Sequence, residues 1–226
     1  MELLVQMLLS LPVYQQQEGL FWFIPLIAAA VVWGGVVIFS GDSYPDVKTF
    51  AILGMQGAGK TQFLANLRNK RYDECVPTAS IEEVGTFSFK LNNGKTIIVK
   101  GCKDIPGGEE WISENYGEFI RKNEFLFFLF DGYNYVNDNK YRISVQARME
   151  FVHRNYLIGK AKGVYVFATF ADQFKSKEER QNAISKIKSS VNGKTYAGFL
   201  SNFCLLDMRD KEELMKILSQ IFPNNE

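Results

Sequence analysis

Three glycines followed by a Lys-Thr pair interrupt an apolar run in "ILGMQGAGKTQFL", residues 52–64. The spacing from Gly54 to Thr61 is G-x-x-x-x-G-K-[ST], the P-loop pattern. In such a loop, backbone N–H groups surround the phosphates of a nucleotide and the lysine neutralises the outer phosphates. The pattern predicts that Lys60 reaches the β- and γ-phosphates and that the Thr61 hydroxyl coordinates Mg²⁺. The predicted nucleotide contacts in this loop are Gly54, Gly57, Ala58, Gly59, Lys60, Thr61 and Gln62.

The segments on either side of the loop fit this interpretation. "TFAILGM" has the pattern of a short buried strand, and "KTQFLANLRNK" places Phe63, Leu64 and Leu67 on one face of a helix. The N-terminus of that helix then points toward a bound anion.

A second motif, "KDIPGGEEW", follows a predicted strand. Asp104 and Gly107 fit D-x-x-G, in which the carboxylate holds Mg²⁺ through water and the glycine N–H contacts the γ-phosphate. Loss of that phosphate releases the loop. Between the two motifs, "ECVPTASIEE" offers Thr78 as a further Mg²⁺ ligand, with Ser80 as the alternative.

The remaining chain alternates strand and helix patterns. Two strands around the Asn93-Gly94 turn are expected to pair antiparallel, and "FLFFLFD" is typical of a central strand covered on both faces. Similar strands follow at "GVYVFATF" and "NFCLLDM". We therefore predict an α/β, doubly wound, mostly parallel six-stranded sheet after an N-terminal transmembrane helix. This layout and both motifs resemble the Ras-like GTPase domain.

The resemblance implies where the base of a bound guanine nucleotide lies. Ras-like proteins end their fifth strand with N-K-x-D or T-K-x-D, whose Asp accepts hydrogen bonds from guanine. Here "ATFADQ" matches T-x-x-D at Thr169 and Asp172, while Phe170 replaces the lysine and offers an aromatic face for stacking. Asp207 and Met208 stand where the family's S-A-K loop is expected and are candidates by position alone.

Hydrolysis is expected to be slow. Ras-like enzymes place a water-orienting glutamine directly after the D-x-x-G glycine, and this chain has Gly108 there. Glu109 is the alternative, although it also suits the first turn of the next helix. Neither "ECVPTASIEE" nor "KDIPGGEEW" contains an arginine that stabilises the transition state. The catalytic candidates are Lys60, Gly107 and Glu109.

The N-terminal region is apolar. Residues 19–40 supply ~20 largely apolar positions, about the length that crosses a bilayer, and Pro25 and Gly34 are tolerated in lipid. We predict an apolar segment at 1–18, a transmembrane helix at 19–40, a linker at 41–47 and a P-loop GTPase-like domain at 48–226. The positively charged side chains that follow the span favour a single-pass protein with its N-terminus outside and its domain in the cytoplasm.

Composition excludes other classes. A net charge of +1 provides no basic footprint for nucleic acid, and three scattered cysteines without C-x-x-C spacing fit reduced thiols. An ATP-using enzyme such as a kinase needs an arginine-rich lid, whereas "DGYNYVNDNKYR", interpreted as a loop, contains only Arg142. The tyrosines of that loop either form a partner surface or pack on their own domain.

The span, the P-loop and "DIPGGEE" together resemble the signal recognition particle receptor β-subunit type and bacterial membrane-tethered GTPase-like proteins. The resemblance implies a membrane-anchored GTP-binding switch that uses GTP/GDP and Mg²⁺ and recruits a cytosolic protein in its GTP form. The membrane is then the bacterial inner membrane or the endoplasmic reticulum. A scaffold without turnover and an ATP-using P-loop enzyme are the alternatives.

Overall fold

The computed structural model describes residues 46–70, 82–106, 108 and 114–223. The predicted apolar segment at 1–18 and the predicted span at 19–40 lie outside these ranges. Among the described residues, no helix combines the length and the apolar character needed to cross a membrane. Pro45–Glu226 forms one compact unit, and its first strand already includes Asp46 and Val47.

Eight strands form one mixed sheet in the described part of the chain. They are β1 (Asp46–Gly54), β2 (Glu82–Val84), β3 (Phe87–Lys90), β4 (Thr96–Lys100), β5 (Cys102–Asp104), β6 (Phe125–Asp131), β7 (Gly163–Thr169) and β8 (Phe203–Leu205). Six follow the order β2-β5-β1-β6-β7-β8, and β4 pairs with both β1 and β3. The pairs β1–β5, β1–β6, β6–β7 and β7–β8 are parallel, as predicted for a mostly parallel six-stranded sheet.

The predicted hairpin is present but divided. β3 and β4 pair antiparallel around Gly94, whose φ of 86° requires the left-handed conformation that glycine tolerates. A second left-handed glycine, Gly101 with φ of 65°, separates β4 from β5. The two predicted strands therefore form four segments, and β2 and β5 continue the antiparallel pairing beyond the break.

The helices of the described residues are α1 (Lys60–Leu67), α2 (Glu114–Lys122), α3 (Gly132–Asn137), α4 (Asn139–Tyr156), α5 (Lys177–Ser190) and α6 (Lys211–Ile221). Short 3₁₀ helices span Ala171–Gln173 and Ala197–Asn202. Phe63, Leu64 and Leu67 of α1 are buried, as their spacing predicts.

Helices cover both faces of the sheet at β6, all of whose residues are buried. Phe127 packs on Phe63 of α1 with ring centroids 5.2 Å apart, whereas Phe130 packs on Tyr135 of α3 at 4.9 Å. Because residues 127 and 130 point to opposite faces of a strand, α1 and α3 lie on opposite sides of the sheet. The double winding is confirmed.

The predicted loop "DGYNYVNDNKYR" is wrong, because these residues form α3 and the start of α4. The Asp131 side chain accepts from Asn134 N–H, and Asp138 accepts from the N–H groups of Lys140 and Tyr141. These two N-caps begin helices where the turn-forming residue types had suggested a loop. Tyr135 is fully buried, with its hydroxyl 2.7 Å from Ser190 Oγ.

Candidate functional site

The loop between β1 and α1 depends on glycine at its first position. Gly54 has φ of 132°, and a Cβ added there would lie 1.9 Å from the Leu129 carbonyl oxygen on β6. No side chain fits at that distance, because Leu129 O belongs to the backbone of a central strand. Gly57 and Gly59 have φ of 70° and 81°. Left-handed residues of this kind turn successive N–H groups into an anion-binding concavity.

Lys60, the first residue of α1, folds back over the loop. Its side chain is 7% exposed, and Nζ donates to the Met55 carbonyl oxygen at 2.8 Å. Ala58, which is fully buried, also donates its N–H to Met55 O, at 3.3 Å. The ammonium group is therefore positioned inside the loop by the loop's own backbone, close to where outer phosphates would lie.

Three segments that the sequence placed at one site meet in space. A Cβ on Gly59 would lie 3.5 Å from Met208 Cγ and 3.9 Å from Thr169 Cγ2. Asn66 of α1 donates from Nδ2 to the Met208 carbonyl oxygen at 2.7 Å and fixes the segment after β8 to the P-loop helix. The structure thus brings the P-loop together with the ends of β7 and β8.

The end of β7 contains a strained backbone. Thr169 is 1% exposed and donates from Oγ1 to Phe130 O at 3.1 Å, so its side chain anchors β7 to β6. The next residue, Phe170, has φ of 61°, in the left-handed region that aromatic residues rarely adopt. Such strain costs about 1–3 kcal/mol and concentrates at functional sites. Asp172 follows in the 3₁₀ helix Ala171–Gln173.

Asp172 and Asp207 share one cation. The Arg209 Nη2 atom lies 2.9 Å from Asp172 Oδ2 and 2.8 Å from Asp207 Oδ2. The hydrogen bond from Arg209 holds the pKa of Asp207 below its ordinary value, against a smaller opposing effect of burial. Arg209 was not predicted from the sequence, although it lies two residues after Asp207.

Of the remaining predicted site residues, some are described by the structure and others lie outside the described ranges. Gln62 donates from Nε2 to Asn66 Oδ1 at 3.1 Å, within its own helix. Thr61 is half-buried in the first turn of α1, and Asp104 is the last residue of β5, paired through its backbone with Ile52 and Glu82. Thr78, Gly107 and Glu109 lie outside the described residues, whereas Gly108 is described and half-buried.

Two further residues, Tyr116 and Arg148, form hydrogen bonds with the backbone of Gly54, the first residue of the P-loop motif. Gly54 donates its N–H to the Tyr116 hydroxyl on α2 at 3.2 Å, and Arg148 of α4 donates from Nη1 to Gly54 O at 3.0 Å. Both side chains are 4% exposed. Burial raises the pKa of Tyr116 to about 12. The sequence carried no signal for this pair, since the bonds join residues 62 and 94 positions apart.

The arrangement fits a polyphosphate. It combines left-handed glycines, a lysine held inside the loop and a helix that starts directly after it. A threonine hydroxyl at the helix start is the kind of oxygen ligand that Mg²⁺ takes beside a phosphate. The residues present therefore fit both groups.

The fold and site together define an α/β domain with a P-loop between its first strand and first helix. A bacterial selenocysteine-specific elongation factor, EF-Sec, is similar over 80% of this chain and 29% of its own, with a TM-score of 0.55 and 15% identity. Elongation factor SelB from Methanococcus maripaludis, solved in complex with the GTP analogue GppNHp, is similar over 82% of this chain and 36% of its own, with a TM-score of 0.56 and 18% identity.

This similarity establishes the fold, and the chain spans about a third of the length of those proteins. No protein-family profile and no curated protein sequence matches the chain.

Proposed function

We propose that this chain is a membrane-anchored GTP-binding switch protein with slow intrinsic hydrolysis. The observation that carries the proposal is the closeness of Gly59 to Thr169 and Met208, whose side chains would be the nearest neighbours of a Cβ added at Gly59. It joins a phosphate-binding loop to the two segments that supply base contacts in Ras-like domains. A solved neighbour that binds a GTP analogue supports the same assignment.

In this proposal, each part of the P-loop has a distinct task. The N–H groups of Gly57 and Gly59 donate to phosphate oxygens, and Lys60 moves its ammonium from Met55 O to the β- and γ-phosphates. When bound, Mg²⁺ would neutralise the phosphate oxygens, with Thr61 and Thr78 as hydroxyl ligands and Asp104 holding the ion through water.

The base is selected at the end of β7. The Asp172 carboxylate accepts from the N1–H and 2-amino group of guanine, a pair of donors that adenine lacks. Thr169 holds the segment in place through its bond to Phe130 O. Phe170 stacks on the base in place of the family's lysine, and its strained backbone supports a functional role there. Asp207 and Met208 border the base from the β8 side.

Hydrolysis is slow because Gly108 has no side chain to orient water. Glu109 is the remaining candidate for that role, while the Gly107 N–H contacts the γ-phosphate. The GTP form, with the loop after β5 held in this way, recruits a cytosolic protein. Gly108 also favours the second candidate, a GTPase-like scaffold without turnover, which a tightly bound nucleotide in the purified protein would exclude.

Residues 19–40 anchor the protein as a single transmembrane helix, with the N-terminus outside and the domain in the cytoplasm. The apolar length of that segment and the charges that follow it support this proposal. Protease protection in sealed vesicles with the cytoplasmic side inside tests this topology. The domain should be digested only after the vesicles are lysed, and digestion in intact vesicles contradicts the proposal.

The central experiment identifies the nucleotide. The purified full chain is denatured, and the released nucleotide is separated by chromatography and quantified against protein. We expect GDP or GTP in the wild type and none in Lys60→Ala. Release of adenine nucleotide, or equal affinity of the wild type for ATP and GTP, contradicts the proposal and favours an ATP-using enzyme.

A further inference from the structure

The side chain of Arg209 is held beside the predicted base-reading carboxylate by a neighbouring acid. Its Nε donates to Asp207 Oδ1 and Oδ2 at 3.0 and 3.1 Å, and its Nη2 donates to Asp207 Oδ2 at 2.8 Å. The Arg209 N–H also donates to Asp207 Oδ1, at 2.9 Å. From this fixed position, Nη2 reaches Asp172 Oδ2 at 2.9 Å.

The fold brings these groups together from two separate loops. β7 and β8 are parallel and pair Ala168 with Leu205, so the segments that follow them leave the same edge of the sheet. The Leu206 N–H donates to Ala168 O, and the Ala171 N–H donates to Leu206 O. Two carboxylates are thereby fixed side by side, and the guanidinium between them offsets their repulsion.

The guanidinium of Arg209 resembles the hydrogen-bonding edge of a guanine base. A guanidinium presents planar N–H donors joined through one carbon, and the N1–H and 2-amino group of guanine present the same N–C–N unit. A carboxylate accepts either one with the same two oxygens. Arg209 therefore offers Asp172 a donor of the kind that guanine would bring.

We propose that Arg209 is an internal competitor for Asp172, which a guanine base must displace from that carboxylate. The inference rests on the proposed function. Because Asp207 retains the guanidinium after displacement, Arg209 stays within reach and takes Asp172 again when the base leaves. The competition weakens guanine-nucleotide binding and favours exchange.

The size of the effect follows from exposure. Arg209 is 63% exposed and Asp172 30% exposed, and ion pairs of this kind contribute little in water. We expect removal of the competitor to tighten GDP binding about two- to fivefold, which is about 0.4–1 kcal/mol at 1.4 kcal/mol per factor of ten. Loss of a positive charge alone would weaken binding of an anionic ligand, so the predicted sign is opposite to that of a simple charge effect.

The test titrates the full-length wild type and Arg209→Ala with GDP and ADP in a calorimeter. Arg180→Ala is the matched control, since Arg180 also attracts the Asp207 carboxylate but, among the described residues, makes no ion pair with Asp172. Arg209→Lys keeps the charge but loses the planar fork. We expect tighter GDP binding for Arg209→Ala, a smaller gain for Arg209→Lys, no gain for Arg180→Ala and no gain for ADP.

Salt provides a second readout. The ratio of the wild-type and Arg209→Ala Kd values for GDP should fall toward one as ionic strength rises from ~0.05 to ~0.5 M, because screening weakens the exposed pair. A ratio that does not change with salt overturns the competition.

The outcomes separate the inference from the function. If the wild type binds GDP and Arg209→Ala binds it equally or more weakly, the inference fails and the proposed function stands. If only Arg209→Ala binds, the competition is upheld and the native protein is not a GTP-binding switch. If neither binds a guanine nucleotide, both are overturned.

Discussion

Replacing Tyr116 by phenylalanine tests whether the hydrogen bond between Tyr116 and Gly54 stabilises the P-loop. The Tyr116 hydroxyl accepts the Gly54 N–H at 3.2 Å, and both residues are buried. The substitution keeps the ring and leaves no large cavity. It removes only the acceptor, so the Gly54 N–H becomes a buried donor without a partner.

The magnitude follows from that loss. A buried donor without an acceptor costs about 1–3 kcal/mol of unfolding free energy. For a domain of this size, each kcal/mol shifts Tm by about 2–4 °C, so Tyr116→Phe should lower Tm by about 2–12 °C. Arg148 bonds the carbonyl of the same glycine, so Tyr116→Phe and Arg148→Met should be non-additive when combined.

Calorimetric and denaturant unfolding of the full chain measure the effect, with Tyr165→Phe as the control. Tyr165 is half-buried and stacks on Phe127 at 5.6 Å, and within the described part of the chain its hydroxyl makes no hydrogen bond. The control should change stability by less than about 0.5 kcal/mol, as substitutions away from special features do. Equal stability of Tyr116→Phe and Tyr165→Phe would show that the Gly54 N–H does not depend on Tyr116.

Four other changes test the site and the fold. Lys60→Ala should abolish GDP binding in calorimetry and leave the circular dichroism spectrum unchanged, whereas unchanged affinity removes the P-loop hypothesis. Asp172→Asn should weaken guanine binding and improve xanthine binding, because it exchanges an acceptor for a donor at the base edge; unaltered base preference refutes it. Gly108→Gln should raise single-turnover GTP hydrolysis with little change in affinity, and fast hydrolysis by the wild type would contradict this reasoning. Burial raises the pKa of Tyr116 from 10.0 to about 12 and that of Cys204 from 9.0 to about 11. These two groups therefore stabilise the fold fully below about pH 9 and lose that contribution by about pH 12, so unfolding free energy should fall across this window.

Local patterns predicted much of the fold. An apolar run ending in glycines identified β1, the P-loop and α1. The spacing of apolar residues indicates which side chains are buried, and the glycines indicate where the backbone is left-handed. The hairpin at Gly94 and the buried strand β6 followed for the same reason.

The sequence failed to predict the roles of residues that depend on their hydrogen-bond or ion-pair partners. Asp131 and Asp138 act as N-caps, but the turn-forming residues around them favoured a loop. The contacts of Tyr116 and Arg148 with Gly54 cross the fold, as does that of Arg209 with Asp172. Non-local pairs of this kind leave no periodicity in the sequence, so only the structure reveals them.

The buried strand β6 also creates a risk of aggregation while the chain is being synthesised. "FLFFLFD" combines strong strand preference with no charge before its last residue, which is typical of segments that pair between molecules. Its partner β1 precedes it in the chain, but its other partner β7 follows. At ~5–20 residues per second, the ~38 residues from the end of β6 to the end of β7 take ~2–8 s to make. During that interval one edge of β6 is unpaired, and Lys122, Glu124 and Asp131 act as charged gatekeepers beside it. Chains truncated before β7 should therefore aggregate more readily than the full chain.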